Sequence, residues 1–196
     1  PGGTRLAKED PFRTGKLDGT AKAVGFYMTR NQVDTLKTTM GARVQFLQSA
    51  GGIFGYAPNM REVVPPWGDV RFRKAVSLWI DRAGATNVLA GGQAIETDLF
   101  PPGTAIALPD LLSRPGYRAD KTADRAEAKR LLAEVGIPNR TIRITDYVRD
   151  ASEFMVEQLR TMGLKVEVEL IPGVTDLDAR LSKGNFEVVG GTVGGA

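Results

Sequence analysis

Alternation governs the last third of the chain. Thr141–Tyr147 (TIRITDY) and Leu164–Ile171 (LKVEVELI) place apolar residues at every second position, the period of a strand with one buried face. Between them Met155, Leu159 and Met162 recur at helical spacing, with Asp150 or Ser152 placed to cap the helix and Gly163 to end it. After the break at Pro172-Gly173, Thr175 is placed to cap a short helix with Leu177 and Leu181 inward, and Gly184 closes it. Phe186–Val189 then reads as a third strand. Residues 141–190 therefore predict β-α-β-α-β, which packs as neighbouring parallel strands joined by right-handed crossovers. That unit commits the chain to an α/β fold, a mixed sheet with flanking helices.

The remainder is less regular. Residues 1–30 are polar and broken by turns at Asp10-Pro11, Thr14-Gly15-Lys16 and Asp18-Gly19, with a short strand at Ala23–Met28. Asn31 is placed to cap a helix over Gln32 to Thr39 that stops at Gly41. Arg43–Leu47 alternates and predicts a strand; Gly51-Gly52 breaks it, and Ile53–Ala57 predicts another. Asp69 is a good N-cap for a helix from Val70 to about Asp81, since Phe72, Ala75, Val76, Trp79, Ile80 and Ala83 share one face. A short helix over Ala83 to Ala90 ends at Gly91-Gly92. Residues 93–120, rich in Pro and Gly, form a long irregular connection that must cover something. Asp124, Ala128, Leu131, Leu132 and Val135 then mark a helix closed by Gly136.

Composition removes much chemistry. The 196 residues include no Cys and no His, which excludes disulfides, thiolate nucleophiles, zinc-thiolate sites and His-dependent triads. The formal charge is +3, too mild for a nucleic-acid surface. No apolar run reaches the length of a transmembrane helix. The chain opens Pro1-Gly2-Gly3, without Met and with no signal peptide ahead of the domain, as a processed or truncated product would.

Three places could carry function. The run Gly190-Gly191-Thr192-Val193-Gly194-Gly195 invites a phosphate-loop reading, but no helix and no Lys-Ser/Thr pair follows. A strand end or hinge is the favoured reading, and a backbone that approaches a ligand at a strand's carboxyl end is the third. The loop Asp146-Tyr147-Val148-Arg149-Asp150 joins a strand end to a helix start, where side chains can enter a crevice. A surface loop with Asp150 as a cap explains it equally well. Glu167 and Glu169 share a strand face, yet nothing sets two carboxylates across a cleft. Asp69, Arg71, Arg73 and Trp79 read as structural, while Trp67 could stack on a ligand.

Ordered motifs then bring in a family. Pro65-Pro66-Trp67-Gly68-Asp69-Val70-Arg71-Phe72-Arg73 with Ile80-Asp81-Arg82 comes first, after Tyr56 and Asn59. Glu127–Gly136 (EAKRLLAEVG), Gln158–Glu167 (QLRTMGLKVE) and Leu181–Val188 (LSKGNFEV) follow. Together they resemble the extracellular solute-binding proteins of peptide/nickel-type ABC importers. The resemblance implies one lobe of a class II periplasmic-binding-protein-like fold, spanning 1–196, with an N-terminal lobe missing. It implies reversible, non-catalytic binding of a peptide or other small polar solute, without metal or cofactor. It also implies docking on an ABC permease and a periplasmic or extracellular bacterial location. On this resemblance Thr145, Asp146, Tyr147 and Arg149 line one wall of the cleft with Gly190, Gly191 and Thr192. Tyr147 would supply apolar area and a hydroxyl, Arg149 would pair with an anionic group, and the glycines would offer amides. The alternatives are a small α/β enzyme with a nucleotide or metal site at the Gly-rich end or around Glu167 and Glu169, and an interaction module packing through residues 93–120.

Overall fold

The computed structural model describes residues 14–16, 30–46, 53–90, 94–97 and 106–193. The expected strand at Ala23–Met28, the turns at Asp10-Pro11 and Asp18-Gly19, and the Gly-Gly breaks at 51–52 and 91–92 lie outside them. The chain divides into two compact units, residues 1–52 with 195–196, and residues 53–194.

In the first unit a turn sits at 14–16, with Gly15 at φ 72°. Helix α1 (Arg30–Met40) takes in Asn31, which is therefore not its cap, and Gly41–Arg43 adds a single 3-10 turn. The strand expected at Arg43–Leu47 does not form: Arg43 belongs to that turn and residues 44–46 join no sheet. Four or five alternating residues carry too little signal, because a strand exists only with a partner to complete its ladder.

The second unit is built on β1 (Ile53–Pro58), β2 (Thr141–Asp146), β3 (Lys165–Leu170) and β4 (Val188–Val193). Their order in the sheet is β1-β4-β2-β3; β1 runs antiparallel to β4, whereas β2 runs parallel to both β3 and β4. Register sets the faces. Ile142 pairs with Val166, and Ile144 with both Val168 and Val188, so these five point to one side. There they meet α2 (Val70–Trp79), α5 (Thr122–Val135) and α6 (Arg149–Thr161). Phe72, Ala75, Val76, Trp79, Ala128, Leu131, Leu132, Met155, Val156 and Leu159 complete this core. A fully buried aliphatic side chain contributes roughly 1.5–3 kcal/mol, so this layer holds the unit together.

The opposite face is charged. Arg143 pairs with Glu167 across the strands (3.0 Å), and Glu169 accepts from Arg180 of α7 (Val174–Lys183) at 2.9 Å. Thus α6 and α7 lie on opposite faces, as right-handed crossovers leaving β2 toward β3 and β3 toward β4 require. The expected fold class, α/β with a mixed sheet and flanking helices, is the one observed.

Local chemistry explains the boundaries. Asp69 caps α2 by accepting from the Arg71 amide (2.8 Å). The helix stops at Trp79, short of Asp81, because Asp81 accepts from the Gly84 amide (2.8 Å) and opens α3 (Arg82–Ala90). The connection of residues 93–120 is less irregular than expected: it holds α4 (Leu108–Ser113), with Leu111 buried. Beyond it the turn at Gly116 is pinned. The Arg82 guanidinium donates to the Gly116 carbonyl (2.6 Å), and buried Asp124 accepts from the Gly116 amide (2.8 Å) and from Lys121 Nζ (3.1 Å). Neither Asp150 nor Ser152 caps α6; the cap position is Val148. Thr175 lies inside α7, and Leu181 is 36% exposed instead of facing inward. Strand β4 starts two residues later than expected and runs through its glycines.

At the start of β4, Glu187 ties three segments together. It accepts from Arg140 (2.6 and 3.0 Å), from Trp67 Nε1 (2.9 Å) and from the Arg143 amide (3.1 Å). Trp67 is therefore buried structure and not a stacking platform. Burial pushes the Glu187 carboxyl up, but these donors and the Arg140 charge outweigh it and hold the group below its usual value of 4.5. The stabilisation is then complete above about pH 4.5 and is lost as pH falls below that value. Glu187→Gln is expected to cost about 2 kcal/mol at pH 7, with the difference from wild type shrinking below pH 4.5, measured by urea denaturation across pH 3.5–7.

Candidate functional site

Strands β2 and β4 lie side by side and parallel, and the connections from β2 to β3 and from β3 to β4 run on opposite faces of the sheet. In open α/β sheets ligands bind outside the carboxyl ends of the strands. The structure brings Asp146, Tyr147, Gly190 and Gly191 together at this end of the sheet and gives the predicted residues different roles.

Asp146 ends β2 and is fully buried. Its Oδ1 accepts from the amides of Tyr147 (2.7 Å) and Val148 (2.9 Å), an Asx-type turn that directs the chain into α6. Its Oδ2 accepts from Tyr56 Oη (2.8 Å). Burial pushes the Asp146 carboxyl above its ordinary value, and the hydrogen bonds from Val148, Tyr56 and Tyr147 oppose that push. Burial first, and then the Asp146 charge and hydrogen bond, drive the Tyr56 hydroxyl far above its own value.

Gly190 sits between these two side chains. A Cβ there would stand 2.5 Å from Tyr56 Cε1 and closer still to Asp146 Oδ2. So Gly190 is glycine because the buried Asp146 carboxylate and the half-buried Tyr56 ring meet over its backbone. It lies inside a strand paired with Tyr56, neither in a hinge nor in a phosphate loop.

Gly191 is different. A Cβ there would lie 3.3 Å from Leu177 Cδ2 and 3.7 Å from Tyr147 Cε1, which is tight for the first and ordinary contact for the second. Tyr147 is half-buried and shares this corner with Leu177 of α7. Arg149 points outward, 69% exposed, and forms an ion pair with Glu153 (3.5 Å). Thr192 pairs with Phe54 in the β1–β4 ladder. Thr145 is fully buried on the charged face, and its Oγ1 has no hydrogen-bond partner. It borders a cavity of about 340 Å³ lined by Arg143, Glu169, Arg180 and Lys183.

Two residues of the corner went unassigned as site residues in the sequence. Tyr56 stands 90 positions from Asp146, and no short-range pattern signals that contact. Leu177 reads there as a core position. The paired-carboxylate reading also fails on geometry, because Glu167 and Glu169 are each engaged by an arginine. Among the described residues no group of three His, Cys, Asp or Glu side chains could hold a metal ion.

The fold is one that known proteins share. The family model "Bacterial extracellular solute-binding proteins, family 5 Middle" matches residues 11–196, and the chain belongs to that family. Similar solved structures include Haemophilus influenzae OppA in complex with RPPGFSPFR, at 23% identity and TM-score 0.69, covering 94% of this chain and 36% of that one. The Escherichia coli murein tripeptide binding protein MppA matches at 21% identity and TM-score 0.70, covering 96% and 37%. A dipeptide binding protein from Pseudoalteromonas sp. SM9913 in complex with Met-Leu matches at 17% and 0.65, covering 94% and 36%. At these identities the likeness shows the fold. The chain spans little more than a third of each structure's length. No curated protein sequence matches it.

The two glycines make separable expectations. Gly190→Ala should destabilise the second unit by about 2 kcal/mol or more, because its Cβ has nowhere to go between the Asp146 carboxylate and the Tyr56 ring. Gly191→Ala should cost under about 1 kcal/mol, since the Leu177 side-chain end can move. Urea denaturation followed by tryptophan fluorescence ranks the two.

Proposed function

We propose that this chain is one lobe of a receptor for a peptide or other small polar solute, and that the carboxyl rim of β2 and β4 is one wall of its cleft. The observation that carries the reading is the carboxyl end of β2, where Leu177 and half-buried Tyr147 meet beside Gly191 of the neighbouring strand β4. Family membership and the likeness to peptide-binding receptors support it. In this reading Asp146–Arg149 and Gly190–Thr192 form the wall, with Tyr147 offering apolar area and a hydroxyl. A second lobe, N-terminal to this one, closes on the solute by a hinge motion, so the cleft is dry only when occupied. The closed receptor then docks on an ABC permease outside the cytoplasmic membrane. The role is binding without catalysis, with no cofactor or metal. Residues 1–196 belong to this single lobe, with 1–30 as its entry segment and 141–190 as the unit that bears the rim.

One wall binds weakly, because half of the contact area is missing. Calorimetry with Met-Leu and with RPPGFSPFR is therefore expected to show no micromolar affinity for this chain. Amide NMR with millimolar ligand should show shifts concentrated at Tyr147–Arg149 and Gly190–Thr192. Shifts confined to the cavity beside Arg143 and Lys183, or no shifts, would overturn the assignment of the rim. Micromolar affinity in the isolated chain would overturn the single-wall reading.

A further inference from the structure

We propose that Tyr56, Asp146 and Gly190 form a positioning clamp beneath the rim, and that solute meets only the layer above them, Tyr147 and the strand edge at Gly191. The inference rests on the receptor reading and divides its residues into two kinds. Asp146 is fully buried, so its carboxylate cannot meet a solute. What it does meet are the amides of Tyr147 and Val148, through Oδ1 at 2.7 and 2.9 Å. Those two bonds fix the direction in which the chain leaves the sheet, and so fix where Tyr147 projects.

The carboxylate is itself held. Tyr56 reaches it from β1, with β4 lying between β1 and β2 in the sheet. The ring crosses over β4 at Gly190, where even a methyl group would collide with it. An aromatic residue on β1, a glycine on β4 and an acid at the end of β2 are thus one device spanning three strands. Tyr147 is half-buried, and the site of a Gly191 side chain opens toward it. Without the clamp the Tyr147–Arg149 segment would sample several exits from β2. The fraction of molecules with a formed wall would fall, and the apparent affinity would fall with it. Asp146 and Gly190 are therefore positioning residues, not solute contacts.

Tyr56→Phe removes the hydroxyl donor and keeps the ring. In amide hydrogen exchange on the whole chain, Tyr147 and Val148 are expected to exchange about tenfold faster, beyond any change shared with Ile142, Val166 and Leu159, which report global opening. Asp146→Asn keeps an acceptor for both amides and should hold their exchange within about threefold of wild type. A uniform change in Tyr56→Phe, with Tyr147 and Val148 no different from the core amides, overturns the clamp; so does Asp146→Asn losing their protection as fully as Tyr56→Phe does. Titration with millimolar Met-Leu is the second arm: Tyr56→Phe should weaken the rim response about tenfold. An unchanged rim response in Tyr56→Phe also overturns the inference. Wild-type chain that shows no rim shifts refutes the receptor reading instead, and the exchange data then decide the clamp alone.

Discussion

A carboxylate buried at the end of a strand must find donors, and the three that Asp146 finds determine the geometry around it. Two are amides of its own chain, which bend β2 into α6. The third is the Tyr56 hydroxyl on the antiparallel strand β1. For that donor to arrive, β4 must lie between the two strands with no side chain in the way. Strand order, the glycine at 190 and the take-off of α6 are consequences of satisfying one group. The helix begins without a side-chain cap of its own because the acid before it has already ordered the turn.

The other end of the sheet depends on a second, half-buried acid. Glu187 gathers Arg140, the Trp67 indole and the Arg143 amide, while the Arg140 guanidinium also donates to the Pro65 carbonyl (2.7 Å). Asn59, just past β1, donates to the carbonyls of Gly184 (2.9 Å) and Phe186 (3.1 Å) and accepts from the Arg61 amide (2.9 Å). The Pro65–Asp69 loop and the turn before β4 are thereby locked to the sheet. The surface pairs Arg143–Glu167 and Arg130–Glu127 differ in kind. Exposed pairs contribute little each, though charges along β3 do blunt an edge strand against unwanted pairing.

What the sequence disclosed, and what it hid, follows from the range of the interactions. TIRITD and KVEVEL were legible because a strand with one buried face must alternate, and Ile142, Ile144 and Val166 point where the alternation says. The apolar face of α2 and its Asp69 cap were legible for the same reason, since both are fixed within one or two turns. The α6 cap was misplaced because Asp150 and Ser152 are good caps locally, and only the buried partner of Asp146 reveals which acid orders the turn. The last strand was cut short at Val189 because glycines read as breaks. Their place in β4 is set by Tyr56, far away in the chain. At the rim, Asp146, Tyr147, Gly190 and Gly191 come together, while the difference between Gly190 and Gly191 is visible only in three dimensions.

That difference gives the rim two layers with different freedoms. The lower layer is constrained by packing: any change at Tyr56, Asp146 or Gly190 must still satisfy a buried carboxylate over a crossing backbone. The upper layer is half-buried at Tyr147 and exposed at Arg149. Gly191 can accept a small side chain, and Arg149, exposed and ion-paired with Glu153, can be replaced without leaving a buried group unsatisfied. In the receptor reading, a wall divided in this way can be retuned toward other solutes by substitutions that leave the fold alone, because precision is supplied from beneath and identity from above.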